Sequence, residues 1–226
     1  MKSLEEFIKE KEIKNTLFIF PHPDDVSYVS SGLIQLLNKI GIESSLICLT
    51  SGDNDQTTKS ELSASAKILG LKNIETWDYK EQKLFDSAEE WMQKLEKMIR
   101  KTNPDMIVSF DTSGITGNLD HIATSITTLK ILKSLKSPAI LLWRVADNEE
   151  GKFFKVKSDP KIKGGYILNL NFESSTRKLK AIFAHKSKIV NLVKRLQVID
   201  LYLFDHKETY HLVDLSRNYS FDIKTK

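Results

Sequence analysis

Two clusters of side chains carry the chemistry of a metal site: Pro21-His22-Pro23-Asp24-Asp25, and a later polar stretch that ends at His121. His22 and Asp25 stand at positions i and i+3, a spacing that puts both on one face of a helix's first turn and within reach of one ion. A neutral imidazole nitrogen and a carboxylate oxygen both suit Zn²⁺. His121 follows the turn Gly114-Ile115-Thr116-Gly117, whose glycines let the backbone approach a pocket, and it is the best third ligand. Two histidines and one carboxylate leave a coordination position for water, the arrangement of a catalytic zinc. Asp24, next to a ligand but pointing differently, is then free to take a proton from that water. An ordinary reading competes with this one. A His-x-Asp-Asp at a helix start can merely cap free amides, and His121 alone can be a hydrogen-bonded core imidazole.

What separates the two readings is where the elements carry these residues. The first half of the chain alternates short apolar runs with segments of helical period, the pattern of an α/β fold with a mostly parallel sheet flanked by helices. Strands are predicted over Thr16–Phe20, Ser45–Thr50, Asn73–Trp77, Met106–Phe110 and Ala139–Trp143. Helices are predicted over Tyr28–Ile40, Thr58–Leu69, Ser87–Lys101 and Asp120–Leu135. Beyond Val145 the period changes. Phe153–Val156 and Tyr166–Leu170 read as an antiparallel pair, Ser174–Ala184 and Lys186–Asp200 as helices, and Thr209–Val213 as a last strand. In doubly wound sheets ligands sit beyond the carboxyl ends of the strands. The polar loops Pro21–Asp25, Thr50–Asp55 and Asp111–His121 leave three strands on that edge, which favours the metal reading.

Composition sets the outer bounds. The 226 residues are 40% apolar, enough for one larger domain over residues 1–226. The net charge of +4 is small and scattered, which gives no argument for nucleic acid. The single cysteine, Cys48, lies in an apolar run and rules out a disulfide framework within the chain. No stretch approaches the ~18 to 20 apolar residues of a membrane span, and the charged, amphipathic first residues lack a signal-peptide core. A cytoplasmic protein is expected. Apolar residues after Ala184, Ile189 to Ile199 among them, leave room for a homo-oligomer, with intramolecular core as the default.

The motifs resemble those of the N-acetylglucosaminyl-phosphatidylinositol de-N-acetylase family, also called PIG-L or LmbE-like. Pro21-His22-Pro23-Asp24-Asp25 is similar to that family's Ala-His-Pro-Asp-Asp, and Leu49-Thr50-Ser51-Gly52-Asp53 to its Leu-Thr-x-Gly-Glu/Asp turn. Ser60-Glu61-Leu62 with Leu69-Gly70 resembles its Glu-Leu helix. Gly117-Asn118-Leu119-Asp120-His121 matches its Gly-His-x-Asp-His, and Lys178 to Ser187 its Lys-x-x-Ala-x-x-x-His-x-Ser helix. The resemblance implies a three-layer, Rossmann-like fold, a zinc ion held by His22, Asp25 and His121, Asp24 as general base, and acetamido sugars or glycoconjugates as small-molecule substrates. Another divalent metal remains open.

The sequence departs from the family at four places. Val26 replaces an acidic residue, Thr58-Lys59 an arginine, Asn118 the first histidine of the third motif, and Lys188 a glutamine. Lys59 supplies a point charge for substrate where the family has a bidentate fork. Asn118 can donate a hydrogen bond to the oxyanion but cannot serve as an acid. Asp120 and His185 are the candidates to replace that acid. Asp53 either contacts sugar hydroxyls or orders its own turn. Arg144, leaving the fifth strand behind Trp143, is a candidate cation for an anionic substituent. Two functions follow: a zinc-dependent de-N-acetylase, or a catalytically weak relative kept as a metal or sugar-binding module.

Overall fold

The structure, a computed structural model, describes residues 3–52, 55–146, 162, 164–189 and 206–219. Its strands are β1 (Asn15–Phe20), β2 (Glu43–Thr50), β3 (Asn73–Tyr79), β4 (Met106–Phe110), β5 (Ile140–Val145), β6 (Tyr166–Asn169) and β7 (Lys207–Leu212). They form one seven-stranded sheet in the order β3-β2-β1-β4-β5-β7-β6. The first five run parallel, and β7 pairs antiparallel with both β5 and β6. The helices are α1 (Leu4–Glu10), α2 (Asp25–Val29), α3 (Ser31–Lys39), α4 (Asp55–Leu69), α5 (Ala88–Thr102), α6 (Gly114–Gly117), α7 (Leu119–Leu135) and α8 (Phe172–Phe183). Among the described residues no helix is long and apolar enough to cross a membrane.

Alternation along β1 builds the layers. Phe18 and Phe20 join a core with Leu33, Ile34 and Leu37 of α3 and Leu62, Ala66 and Leu69 of α4. Leu17 and Ile19 point the other way, to Trp91, Leu95 and Ile99 of α5 and Leu129 and Leu132 of α7. Buried on both faces, β1 and β4 read as largely apolar, with Leu17–Phe20 unbroken and Ser109 the one polar residue of β4. From β1 the chain steps outward through β2 and β3, then returns to place β4 on the other side of β1. The loops leaving β1 and β4 therefore diverge to opposite faces, and the crevice between them is the switch point where such sheets bind ligands.

Three expectations change or fall partly outside the described residues. The helix predicted over Tyr28–Ile40 is two helices that break at Ser30, whose φ of −138° leaves the helical region. The break is held by residues of β5 and β7. Arg144 Nε donates to the Val29 carbonyl at 2.9 Å, and the buried Glu208 carboxylate accepts from Gly32 N at 2.7 Å and Leu33 N at 3.0 Å. Tyr210 Oη bonds Glu208 at 2.8 Å and Ser30 Oγ at 3.3 Å. Second, Tyr166–Asn169 pairs with β7, the partner predicted at Phe153–Val156 lying outside the described residues. Third, Lys186–Lys188 forms a turn after α8, and residues 190–200 of the predicted helix lie outside the described residues. A further helix, α1, starts on a Ser3–Glu6 capping box, with Glu6 N to Ser3 Oγ at 3.2 Å and Ser3 N to Glu6 Oε2 at 2.8 Å.

Candidate metal centre

The first loop is fixed before any ligand is considered. The Pro21 carbonyl accepts from Thr50 N and Thr50 Oγ1, both at 2.9 Å, which ties the end of β1 to the end of β2. Prolines on both sides of His22 restrict its backbone. His22 N then donates to Asp25 Oδ2 at 2.8 Å, so the carboxylate is locked against the residue it would share an ion with. Asp24 stands at the N-cap of α2 yet makes no capping hydrogen bond with its side chain. The simple capping account therefore leaves Asp24 without a role.

His121 arrives from β4 through a strained turn. Ile115 adopts φ 60°, ψ −54°, a region that β-branched residues avoid. Gly114 has φ +62°, and a Cβ there would lie 2.7 Å from His121 Cβ and 3.0 Å from Ile122 N. Only glycine fits, and the close approach is what brings the Gly114 carbonyl to His121 Nδ1 at 3.0 Å. A carbonyl can only accept, so Nδ1 carries the proton and Nε2 keeps its lone pair. The ring also stacks on Phe110, with centroids 4.0 Å apart and planes at 4°.

His22 is oriented by the same logic on its other nitrogen. Asp120 Oδ2 accepts from His22 Nε2 at 3.0 Å, leaving Nδ1 as the free ligand atom. That Nδ1 lies 3.2 Å from His121 Nε2 and 3.3 Å from Asp25 Oδ2, and His121 Nε2 lies 3.3 Å from Asp25 Oδ1. Among the described residues these three are the group able to hold a metal ion. Two imidazole lone pairs facing each other at this range repel unless a cation or proton lies between them. The spacing fits a metal: a tetrahedron with metal–ligand bonds of about 2.05 Å has edges of about 3.3 Å. Two nitrogens and one oxygen suit a borderline divalent cation such as Zn²⁺.

The electrostatics point to the same spot. Burial opposes a charge on His22, but the carboxylates of Asp25 and Asp120 outweigh it and push its pKa up to about 10. Asp25 is driven the other way: burial disfavours its charge, and His121 and His22 more than compensate, holding it well below the usual carboxylate range. The field that keeps a proton on His22 is the one that draws a divalent cation, which would displace that proton on binding. Asp24 differs from its neighbour. Burial first, and then the Asp25 charge, raise its pKa above the ordinary carboxylate value.

The other predicted residues fall in several places. Asp120, considered above as an acid, accepts from Gln82 N at 2.5 Å and Leu84 N at 3.2 Å as well as from His22. Burial works against its charge, but these bonds lower its pKa overall, so it holds no proton to deliver. Asn118 is the N-cap of α7, its Oδ1 accepting from Asp120 N at 2.8 Å; the amide nitrogen remains the group able to donate. His185 is 1% exposed and bonds Ser27 Oγ at 3.2 Å, with Ser27 bonded in turn to Ser65 Oγ at 2.6 Å. Burial drives its pKa down to about 4, so it is a neutral packing residue rather than the replacement acid. Arg144 is buried beneath α2, where it bonds the Val29 and Val145 carbonyls and offers no cation to a ligand. Lys59 pairs with Asp78 on β3 at 2.7 Å. Asp53 lies outside the described residues.

Sequence reasoning missed how Asp120 and the Gly114 carbonyl orient the two imidazoles. A carboxylate one residue before His121 was visible, but its partner His22 is 98 residues away. Also unforeseen was Glu81, whose Oε1 meets Lys188 Nζ at 3.2 Å.

Comparison with known proteins bears on the family and the fold. The chain is 26% identical over 206 residues to a probable N-acetyl-α-D-glucosaminyl L-malate deacetylase 2 of Bacillus anthracis, covering 83% of this chain and 87% of the relative. It is 31% identical over 113 residues to diacetylchitobiose deacetylase of Thermococcus kodakarensis, covering 44% of this chain and 42% of that one. Among solved structures, N,N'-diacetylchitobiose deacetylase of Pyrococcus horikoshii superposes with TM-score 0.71 at 20% identity, covering 96% and 95% of the two chains. A 4-carboxy-2-hydroxymuconate hydratase of Pseudomonas has the same fold, with TM-score 0.65 at 14% identity, covering 92% of this chain and 100% of that one. Residues 17–132, half of the chain, match the family described as GlcNAc-PI de-N-acetylase, PIG-L, and the chain belongs to that family.

Proposed function

We propose that this chain is a metal-dependent hydrolase that removes the acetyl group from an N-acetylated sugar or sugar conjugate. The observation that carries the proposal is the triad of His22 Nδ1, His121 Nε2 and the Asp25 carboxylate at 3.2 and 3.3 Å separations, each imidazole tautomer set by a bond on its far nitrogen. Deacetylase relatives supply the reaction class. Bound by these three residues, Zn²⁺ or another divalent cation supplies a Lewis acid that polarises the acetamido carbonyl and acidifies the attacking water.

The chain's own residues do the rest. Asp24 accepts the proton of the attacking water. It then hands that proton to the leaving amine nitrogen, so one carboxyl serves as base and then acid. Asp120 keeps His22 aimed, and Gly114 does the same for His121. The Asn118 amide nitrogen is the donor available for the developing oxyanion, a role worth about 10² to 10³ in rate where it is filled well.

Free-amine release from N-acetylglucosamine conjugates by the zinc-loaded protein tests this reading. Asp24→Asn is expected to keep metal and lose turnover by about 10² to 10⁴; turnover that survives in Asp24→Asn refutes the base assignment. The second reading, a weakly catalytic relative that retains metal or sugar binding, is favoured by one observation: Asn118 offers no acid. It prevails if wild type releases nothing on a broad panel while Asn118→His does.

A further inference from the structure

Tyr28 stands one helical turn after Asp24, and its amide donates to the Asp24 carbonyl at 3.3 Å. Asp24 itself has helical angles, φ −88° and ψ −19°, so the register of α2 extends back to it. Residues four apart share a helix face, and a helical side chain leans toward the N-terminus over the turn before it. The ring of Tyr28 therefore lies over the turn that carries Asp24. The backbone on either side is pinned: Ser27 Oγ bonds Ser65 Oγ at 2.6 Å and His185 Nε2 at 3.2 Å, and Arg144 Nε holds the Val29 carbonyl at 2.9 Å. Ile182 of α8 and Ile189 beyond it form the apolar cluster against which Tyr28 packs. Among the described residues nothing bonds the hydroxyl, and its oxygen still meets solvent. Burial first, and then the Asp24 charge, raise the phenol's pKa above its ordinary value, so the hydroxyl keeps its proton within the field of that carboxylate.

The chemistry above leaves one substrate atom without a partner. Asn118 has no proton to give, so protonation of the leaving nitrogen falls to Asp24, and the nitrogen must be held where Asp24 reaches it. Resting on the hydrolase reading, we propose that Tyr28 is a further catalytic residue: in the substrate complex its hydroxyl accepts from the acetamido N–H while donating to the Asp24 carboxylate, and so holds the leaving nitrogen over its proton donor. A phenol hydroxyl both donates and accepts, which one bridging position requires. The bond to Asp24 closes only with substrate in place, as catalytic hydrogen bonds do when they tighten in the Michaelis complex. An oxygen ester has no N–H, so the contact is specific to amides.

The test sets zinc-loaded wild type against Tyr28→Phe, which keeps the ring and its packing, on two acetyl donors of one shape: the methyl glycoside of N-acetylglucosamine and the methyl glucoside acetylated on its 2-oxygen. Tyr28→Phe is expected to lower kcat for the amide about tenfold or more, the loss of one hydrogen bond, with kcat for the ester changing less than about threefold. Zinc affinity and Tm are expected to stay as in wild type. An unchanged amide rate, or an equal loss on amide and ester, overturns the proposal, because a residue that merely packs α2 would slow both reactions alike. Tyr28→Leu removes the ring as well; the same selective loss on the amide must recur there alongside lower stability, and its absence refutes the role of the hydroxyl. Should wild type leave the ester intact, the amide alone decides: a fall in kcat at steady KM supports the contact, and a rise in KM at steady kcat refutes it. If wild type hydrolyses neither substrate, the hydrolase reading fails and the role of Tyr28 falls with it. If wild type and Tyr28→Phe cleave the amide equally well, the role of Tyr28 falls and the hydrolase reading stands.

Discussion

Replacing Asp120 by asparagine probes the link between the fold and the metal. The carboxylate is 1% exposed and accepts from three donors: His22 Nε2 at 3.0 Å, Gln82 N at 2.5 Å and Leu84 N at 3.2 Å. Asparagine keeps the size but has one accepting oxygen, so at least one donor must face an NH₂ group. Where that donor is His22, the imidazole shifts its proton to Nδ1, the atom that should meet the metal. Loss of such an outer partner weakens metal binding by about 10- to 100-fold. At a free zinc concentration 100 times the wild-type Kd, binding stabilises the fold by about 2.7 kcal/mol. The same concentration would stabilise the variant by only about 0.4 to 1.4 kcal/mol. For a chain of this size the metal-induced rise in Tm then falls from about 5 to 11 °C to about 1 to 6 °C. Calorimetric scans of metal-free and zinc-loaded protein, with a chelator competition for Kd, measure both quantities. A lower metal-free Tm with an unchanged Kd would mean that Asp120 only anchors the Gln82–Leu84 loop, and the reasoning about His22 would be refuted.

Gly114→Ala places a Cβ against His121 in a left-handed backbone, so we expect a loss of about 1 kcal/mol or more in stability together with weaker metal binding, read by chemical denaturation and zinc titration. Glu208→Gln removes the charge that receives the α3 amides and the Tyr210 hydroxyl, and a fall of about 1 to 3 kcal/mol in unfolding free energy is expected; wild-type stability would show that water substitutes for it. His185 sets a pH dependence. Its folded pKa of about 4 lies below the ordinary histidine value of 6.5, so the unfolded chain binds the proton more readily. The contribution is therefore complete above pH 6.5 and is lost as the pH falls through about 4, an effect of up to about 3 kcal/mol. Urea titrations between those limits should give a shallower pH slope in His185→Asn than in wild type, and identical slopes would refute the assignment.

Most of the elements and the candidate ligand types are legible in the residues alone. Apolar runs such as Leu17–Phe20 and Met106–Phe110 are short and buried on both faces, and periodicity finds them without a partner in view. His22 and Asp25 are legible because three residues on a helix start is a local distance. The features hidden from that reading involve partners far apart in the chain. The break at Ser30 is invisible in a sequence whose period runs through it, because its causes are Arg144, Glu208 and Tyr210. Arg144 looked available to substrate for the same reason: an arginine after a strand gives no sign of the carbonyl that claims it. The tautomers of His22 and His121 depend on Asp120 and the Gly114 carbonyl. Local spacing follows from backbone geometry, whereas orientation and protonation follow from whichever groups the fold packs alongside, and those are chosen by topology.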